Sequence, residues 1–376
     1  MRMKKWVEKS LCACGIAALT AGMLAGCGDS SASASASQES SAATGAEGSS
    51  AAAVSSTASS QNSGDTLTLG IVDWPGSYWW FATKELGYFD KEGVNVNVQL
   101  FSNYNDGLNS LIGGNIDMFV PSLDNTIPGF ADGAEYKIVM VEDYSSGADG
   151  LIASKDIKSV ADLKGKTIGV EFGGSDHVFL LKALANAGLT EDDVNLVDMS
   201  TGDASNAFIS GKVDAAAIWE PSLSMAQEET GGNILVTTAD KDYEGLIPAV
   251  LAVNNSTLEK DRDGVERVMK AWFESQSAYT DDQDAFAKAV ADNTEVSADE
   301  FLDLMKGCKV LSADENVPVF QDGDTYVSLD YCLQTLAQFE VDNNIISAIP
   351  DNLNDLVDSS LFDDVYKELD SNAKSE

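Results

Sequence analysis

The chain has 376 residues, and its 61 Asp and Glu against 23 Lys and Arg give a formal charge of −38. Because so acidic a surface repels nucleic acid and anionic lipid headgroups, neither is an expected partner. His177 is the only histidine, and the cysteines do not combine with other ligand types at metal-ligand spacing. We therefore predict no metal site, no cofactor and no His-dependent catalytic triad.

The first 26 residues have the order of a secretory signal. Four basic side chains precede the apolar stretch 11–24, which is too short to span a bilayer as a stable helix. The run Leu24-Ala25-Gly26-Cys27 that follows resembles a bacterial lipobox, in which small residues admit a peptidase and the thiol takes the lipid. We predict a signal peptide over 1–26, lipidation at Cys27 and attachment to the outer face of the cell membrane. An ordinary signal peptide with an incidental cysteine is the alternative.

A low-complexity tract follows the cysteine. From Ser30 to Gly64 the chain consists mostly of Ser, Ala, Gly and Thr, with Glu39 and Glu47 as its only charges. Such a tract lacks the large apolar side chains that would offset the entropy of ordering it. We expect residues 27–64 to tether a folded domain near the membrane.

From Asp65 onward, strand and helix patterns alternate in two sets. The first set has strands at 66–72, 94–100, 116–120 and 137–141, and helices at 77–86, 104–112 and 124–131. The second set has strands at 167–171, 195–199, 213–219 and 234–238, and helices at 175–187, 204–210 and from Pro221. A strand at 249–253 follows, and then helices at 265–279, 284–291, 298–305 and 326–339.

This order predicts an α/β protein with two lobes, each a mostly parallel sheet flanked by helices. The folded part is longer than one hydrophobic core usually serves. We expect lobe 1 to comprise 65–151 plus 249–376, and lobe 2 to comprise 152–248. The chain would cross between them twice, which makes a hinge.

Candidate ligand-binding residues lie where strands end and helices begin, because ligands of such sheets bind beyond the carboxyl ends of the strands. Asp73, Trp74 and Tyr78 follow the first strand, and Ser122, Asp124 and Asn125 follow the third. In the second set the candidates are Gly173, Gly174, Ser175, His177, Trp219 and Glu220.

Several of these residues also have a purely structural interpretation. We expect Trp79 and Trp80 to pack in the core, since one helix start cannot turn all its aromatic residues to a ligand. The Gly173-Gly174 pair could serve only a tight turn, His177 could be a helix-start residue, and Trp219 could belong to the core. Cys308 and Cys332 could form a disulfide or stay as two buried thiols.

Several segments resemble a known family. Residues 157–170, Ile-Lys-Ser-Val-Ala-Asp-Leu-Lys-Gly-Lys-Thr-Ile-Gly-Val, resemble the signature of type II periplasmic binding proteins. Residues 184–189, 209–215 and 218–221, with 84–89 and 113–117, resemble the branch that serves nitrate, sulfonate, taurine and thiamine-pyrimidine importers. The resemblance spans about 67–226. It implies the two-lobed type II periplasmic-binding-protein fold, closure on a small solute and recognition by an ABC permease. We expect no enzymatic activity and a monomer.

The residues around the expected cleft limit the solute. Ser77, Ser122 and Ser175 at helix starts could hold an anion, but Asp73, Asp124, Asp176 and Glu220 lie among them with no Arg or Lys. Because an unpaired buried carboxylate is unfavourable, a multiply charged anion is a poor candidate. An aliphatic sulfonate of the taurine type, such as the zwitterion taurine itself, is the first choice. A neutral or weakly basic heteroaromatic compound of the thiamine-precursor type, stacked on Trp74 or Tyr78, is the second.

Two other functions remain open at this stage. The thiamine-pyrimidine synthases share the fold, although such an enzyme would call for His and Cys clusters in the cleft. A sensor that presents its closed form to a receptor would have the same binding lobes as a transport protein.

Overall fold

The computed structural model describes residues 66–374 and builds them around two β-sheets. The signal segment, Cys27 and the tether lie outside the described residues. The strands are β1 (Leu67–Val72), β2 (Val96–Phe101), β3 (Met118–Phe119), β4 (Tyr136–Ser145), β5 (Asp149–Ala153), β6 (Thr167–Val170), β7 (Asn195–Asp198), β8 (Ala215–Trp219), β9 (Asn233–Thr237), β10 (Pro248–Asn254) and β11 (Cys308–Val310). Six of them form the first sheet, in the order β11-β4-β10-β3-β1-β2, and five form the second, in the order β7-β6-β8-β5-β9.

Helices cover the faces of both sheets. They are α1 (Trp79–Glu85), α2 (Tyr88–Glu92), α3 (Tyr104–Ile112), α4 (Leu123–Ala131), α5 (Ser175–Asn186), α6 (Thr201–Ile209), α7 (Ser222–Thr230), α8 (Asn255–Asp281), α9 (Gln283–Ala291), α10 (Ala298–Leu304), α11 (Ala313–Asn316), α12 (Leu329–Asp342) and α13 (Ser359–Ala373). A non-helical residue, Asp261, kinks α8 near its start. Within residues 66–374, no helix combines the length and the apolar character needed to cross a bilayer.

The α/β class and the two-sheet architecture are confirmed, but the sheets are mixed rather than mostly parallel. Parallel pairing joins β1 to β2 and β3, and β6 to β7 and β8. By contrast, β10 runs antiparallel to β3 and β4, and β5 runs antiparallel to β8 and β9. Parallel neighbours need a crossover, usually a helix. The chain enters β5 and β10 directly from the other sheet without one.

We call the first sheet with its helices the first lobe, and the second sheet with its helices the second lobe. The strand β5 was not predicted, and it belongs to the second sheet, so the expected boundary at 151 falls inside a strand. The chain passes between the sheets at 146–148 and at 238–247.

The two crossings are joined by a buried polar contact. Thr238 Oγ1 lies 2.6 Å from Ser145 Oγ and accepts a 2.8 Å hydrogen bond from the backbone N–H of Gly147. Gly147 has a φ of +123°, a conformation that side-chain-bearing residues rarely adopt. Glycine is therefore required at this point of the first crossing.

The core of the first lobe is built on aromatic side chains from α1, α8 and α9. Trp79 contacts Phe286 and Tyr279 at centroid distances of 4.4 and 4.8 Å, and its Nε1 donates to Ser275 Oγ at 2.8 Å. Trp80 is fully buried and donates to Glu142 Oε1 at 2.6 Å. Both tryptophans pack in the core as expected, and each indole N–H has a partner. Burial of each such ring contributes roughly 2–3 kcal/mol.

Both cysteines in the described part of the chain are free thiols. Cys308 lies on β11 and Cys332 is buried in α12. The open choice between a disulfide and two separate thiols is therefore decided in favour of the thiols.

Candidate functional site

The ends of strands from both sheets converge on a narrow cavity between the lobes. The first lobe contributes three residues that follow β1, β2 and β3, and the second lobe contributes residues from β5, from the start of α5 and from the end of β8. The lining residues are Trp74, Tyr104, Ser122, Asp149, Ser175, Trp219, Ile247 and Ala249. The last two lie at the second crossing and at the start of β10. The cavity therefore has walls from both lobes and a floor from the chain that connects them.

The lobes touch each other at the starts of two helices. Ser122, the residue just before α4, places its Oγ 2.6 Å from the Oγ of Ser175, the first residue of α5. Both hydroxyls reach the same acceptor, Asp124 Oδ1, at 2.7 and 2.9 Å respectively. Burial raises the pKa of Asp124 to about 6, against the lowering effect of these hydroxyls. The carboxyl group of one lobe is thus held by hydroxyls from both.

Aromatic side chains form the other walls. Trp74 presents its ring to the cavity, and its Nε1 donates to both oxygens of Asp143, at 3.1 and 3.2 Å. A Cβ on the neighbouring Gly76 would lie 1.9 Å from Asp143 Oδ2, so only glycine fits there. Across the cavity, Trp219 and Tyr104 pack edge to face with ring centroids 5.9 Å apart. The aromatic walls thus also come from both lobes.

Two adjacent buried carboxyls belong to this region, one in the cavity wall and one behind it. Asp149 lines the cavity with 2% of its surface exposed, and its Oδ2 receives no hydrogen bond from the part of the chain the structure describes. Asp176 is fully buried, and no donor in residues 66–374 reaches either of its oxygens. Burial raises the pKa of Asp149 to about 7 and that of Asp176 well above its ordinary range, where the adjacent Asp149 adds to the rise. Because the two carboxyls are adjacent, they can share a proton between them.

Four of the predicted site residues line the cavity: Trp74, Ser122, Ser175 and Trp219. Two more, Asp124 and Asn125, support Ser122. Asn125 Nδ2 donates to Asp124 Oδ2 at 3.3 Å, and its Oδ1 lies 2.9 Å from Ser122 Oγ. The two serine-containing loops, which were predicted from their positions after strands, are thus in contact.

The remaining predicted residues lie away from the cavity lining. Tyr78 is buried in the first-lobe core, because the turn before α1 directs it inward, and its hydroxyl donates to the exposed Asp73. Glu220 accepts from the backbone N–H and hydroxyl of Ser224, at 2.9 and 2.7 Å, and so caps the start of α7. Each of these residues is therefore held by a partner that is close to it in the sequence.

The Gly173-Gly174 turn and His177 also contact each other and do not line the cavity. Gly173 has a φ of +77°, and its N–H donates to His177 Nδ1 at 3.3 Å. The imidazole stacks on Phe172 at 5.0 Å, and burial lowers its pKa. The neutral imidazole thus completes the turn.

Sequence reasoning missed Tyr104, Asp149, Ile247 and Ala249. Tyr104 begins the helix that follows the second strand, so its position after a strand end was a signal that could have identified it. Asp149 precedes Gly-Leu-Ile-Ala, a short apolar run that forms β5. Ile247 and Ala249 carry no pattern of their own, because they reach the cavity only through the second crossing.

Comparison with known proteins gives a consistent family. A family model described as NMT1/THI5 like matches residues 74–285. A Brucella abortus (strain 2308) protein named as a binding protein is 27% identical over 255 residues, which cover 67% of this chain and 79% of that protein. An Escherichia coli (strain K12) protein named as an aliphatic sulfonates-binding protein is 37% identical over 142 residues, or 37% of this chain and 44% of that protein.

Solved structures share the fold over nearly their whole length. The periplasmic aliphatic sulphonate binding protein of Escherichia coli superposes with a TM-score of 0.66 at 23% identity, covering 80% of this chain and 99% of that one. A desulfurization enzyme superposes with a TM-score of 0.61 at 18% identity, covering 81% and 99%. Binding proteins and an enzyme therefore use the same architecture, and function must be argued from the site.

Proposed function

Because the chain belongs to the NMT1/THI5-like family, we propose that it is the extracellular solute-binding component of an ABC importer. The observation that carries this proposal is the contact of Ser122 and Asp124 in the first lobe with Ser175 in the second. A solute that enters the cleft exchanges this contact for contacts of its own with both lobes. It then stabilises the closed state by its higher affinity for that state, and the permease recognises the closed form of the monomer.

Two solute classes match the chemistry of the residues that line the cavity. The first is an aliphatic sulfonate of the taurine type, because relatives from Escherichia coli and Bacillus subtilis carry aliphatic-sulfonate and taurine names. The starts of α4 and α5, with Ser122 and Ser175, offer N–H and hydroxyl donors for the sulfonate. The second class is a small heteroaromatic compound, which the rings of Trp74, Tyr104 and Trp219 favour.

Binding rather than catalysis is the better-supported use of this cleft. The relatives that match the sequence are named as binding proteins. Burial raises the pKa of both Cys308 and Cys332 well above the ordinary range, so neither thiol is disposed to act as a nucleophilic thiolate.

A thermal-shift panel tests the binding proposal. The panel contains taurine, alkanesulfonates, nitrate, organic amines and pyrimidines, and at least one solute should raise Tm in a concentration-dependent manner. Trp219→Ala should abolish that shift, whereas Tyr331→Ala, an exposed aromatic on α12, should keep it. A panel in which no member raises Tm would contradict the proposed function.

We also propose that Cys27 anchors the protein to the outer face of the cell membrane through lipid. The basic, apolar and small-residue order of residues 1–27 supports this. Cys27→Ser should move the protein from the membrane fraction to the medium, while Cys12→Ser, in the segment that would be removed, should not. Full retention of Cys27→Ser on membranes would contradict the anchor.

A further inference from the structure

The cavity combines aromatic walls with acidic groups and offers no positive side chain. Trp74, Tyr104 and Trp219 line it together with Asp149. All of the salt bridges within residues 66–374 involve other acidic residues, and Asp124, Asp149 and Asp176 take part in none of them. Aromatic faces and carboxylates both attract cations, and neither attracts an anion.

The carboxyls of the cleft also differ in how well the protein satisfies them. Asp124 receives hydroxyl hydrogen bonds from both lobes, as described above. Asp149 keeps an oxygen without a donor although it lines the cavity, and the fully buried Asp176 next to it has no donor for either oxygen. A buried carboxylate in this condition is strongly unfavourable unless a positive or donor group meets it.

We infer that the solute carries a positively charged nitrogen, which is bound by Asp149, with Asp176 behind it, among the rings of Trp74, Tyr104 and Trp219. This inference rests on the proposed function and narrows its solute class. A metal ion does not fit the same groups, because the described part of the chain has no cluster of three or more side chains able to hold one. An organic cation needs only one or two carboxylates and gains from each aromatic face.

The inference separates members of each candidate class. Taurine contains the required nitrogen, whereas ethanesulfonate has the same sulfonate and chain length without it. Choline and 3,3-dimethylbutan-1-ol have the same shape, but only choline is charged. Benzylammonium and benzyl alcohol form the corresponding aromatic pair.

Isothermal titration of the mature protein with these three pairs at pH 8 tests the inference. In at least one pair the cationic member should bind at least about tenfold more tightly than its partner, as the loss of one buried charge pair predicts. In no pair should the order be reversed. Equal or tighter binding by ethanesulfonate or by either alcohol would overturn the inference.

Two broader outcomes keep this inference separate from the proposed function. Binding of nitrate or of an uncharged pyrimidine, with no binding by any of the cations, would overturn the inference and leave the solute-binding role standing. Absence of binding by every compound in both panels would overturn the two together.

Variants locate the charge. Asp149→Asn should weaken the cation at least about tenfold, and Asp176→Asn should weaken it in the same direction. The matched control is Glu340→Gln on α12, a buried carboxyl that also lacks donors but does not line the cavity. All three changes should raise the Tm of the free protein, while Glu340→Gln should leave affinity within about twofold. Unchanged affinity in both aspartate variants would refute the assignment.

Discussion

Two buried polar side chains of this molecule, Asn316 and Asp176, differ in whether the protein satisfies their hydrogen bonds. Asn316, at the end of α11, is fully buried, and its side chain is completely bonded: Oδ1 accepts from the backbone N–H of Val141 at 3.0 Å, and Nδ2 donates to the Val141 carbonyl at 2.9 Å. Asp176 is equally buried, and its oxygens receive no hydrogen bond from residues 66–374.

The difference shows where the fold is complete on its own and where it is not. Asn316 pairs with β4 beyond the point where β11 ends, so it contributes to stability whether or not a solute is present. The carboxyls of Asp149 and Asp176 lower the stability of the free protein when they ionise. An unfavourable group at the wall of a cleft is therefore an indication of function, whereas a satisfied one in the core is an indication of folding.

The largest expected effect on stability comes from removing the hydrogen bonds between Asn316 and Val141. Asn316→Ala leaves the N–H and the carbonyl of Val141 buried without partners, and each such group costs about 1–3 kcal/mol. We expect the free energy of unfolding, measured in urea, to fall by roughly 3 kcal/mol with little change in the dependence on denaturant.

The control for this change is Asn352→Ala, an exposed asparagine that should alter stability by less than about 0.5 kcal/mol. Equal stability of Asn316→Ala and the wild type would mean that water satisfies Val141 and that the contrast with Asp176 does not hold.

The pH dependence of the free protein should reveal the unsatisfied side of the comparison. The pKa of Asp149 is about 7 in the folded protein, against about 4 when unfolded, so the folded state retains a proton that the unfolded state has released. The contribution of Asp149 to the free energy of unfolding is therefore fully present below about pH 4 and is lost as the pH rises through 7. From this group alone the loss between pH 5 and pH 8 is on the order of 2 kcal/mol.

The charged groups that act on Asp149 have the same sign and strengthen this trend. After burial, the charges of Asp124 and Glu220 raise the pKa of Asp149 further, and burial also raises the pKa of the nearby Asp143 to about 7. Urea unfolding at pH 5, 6, 7 and 8 measures the slope, and Asp149→Asn should reduce it. Stability that increases over this range would contradict the arrangement of carboxyls described here.

The contrast also explains which parts of the fold could be predicted from the sequence. Helix α3 matches its predicted bounds of 104–112, because a local signal defines its start: Asn103 accepts from the N–H of Asp106 at 2.9 Å. The short strands β5 and β11 were missed. Each owes its conformation to a partner that is distant in the sequence, β8 or β9 for the first and β4 for the second.

The same division holds at the site. Ser122 and Ser175 follow strands directly and carry a helix-start pattern, so their position could be read from the sequence. Nothing local indicates that Asp149 and Asp176 are adjacent, because one begins a strand of the second sheet and the other lies in the first turn of α5. Similarly, only packing distinguishes Trp74 on the cavity from Tyr78 in the core.

The smallest expected effect concerns the polar contact between the two crossings. Thr238 is buried, and Thr238→Val preserves its shape while removing the oxygen that faces Ser145 Oγ and the N–H of Gly147. Ser145 keeps the N–H of Asp149 as a donor at 3.2 Å, so the network is weakened rather than lost. We expect a loss of about 1 kcal/mol in urea unfolding, and no measurable loss for the exposed Thr325→Val. A loss as large as that of Asn316→Ala would mean that the contact between the crossings contributes as much to stability as the pairing of Asn316 with Val141.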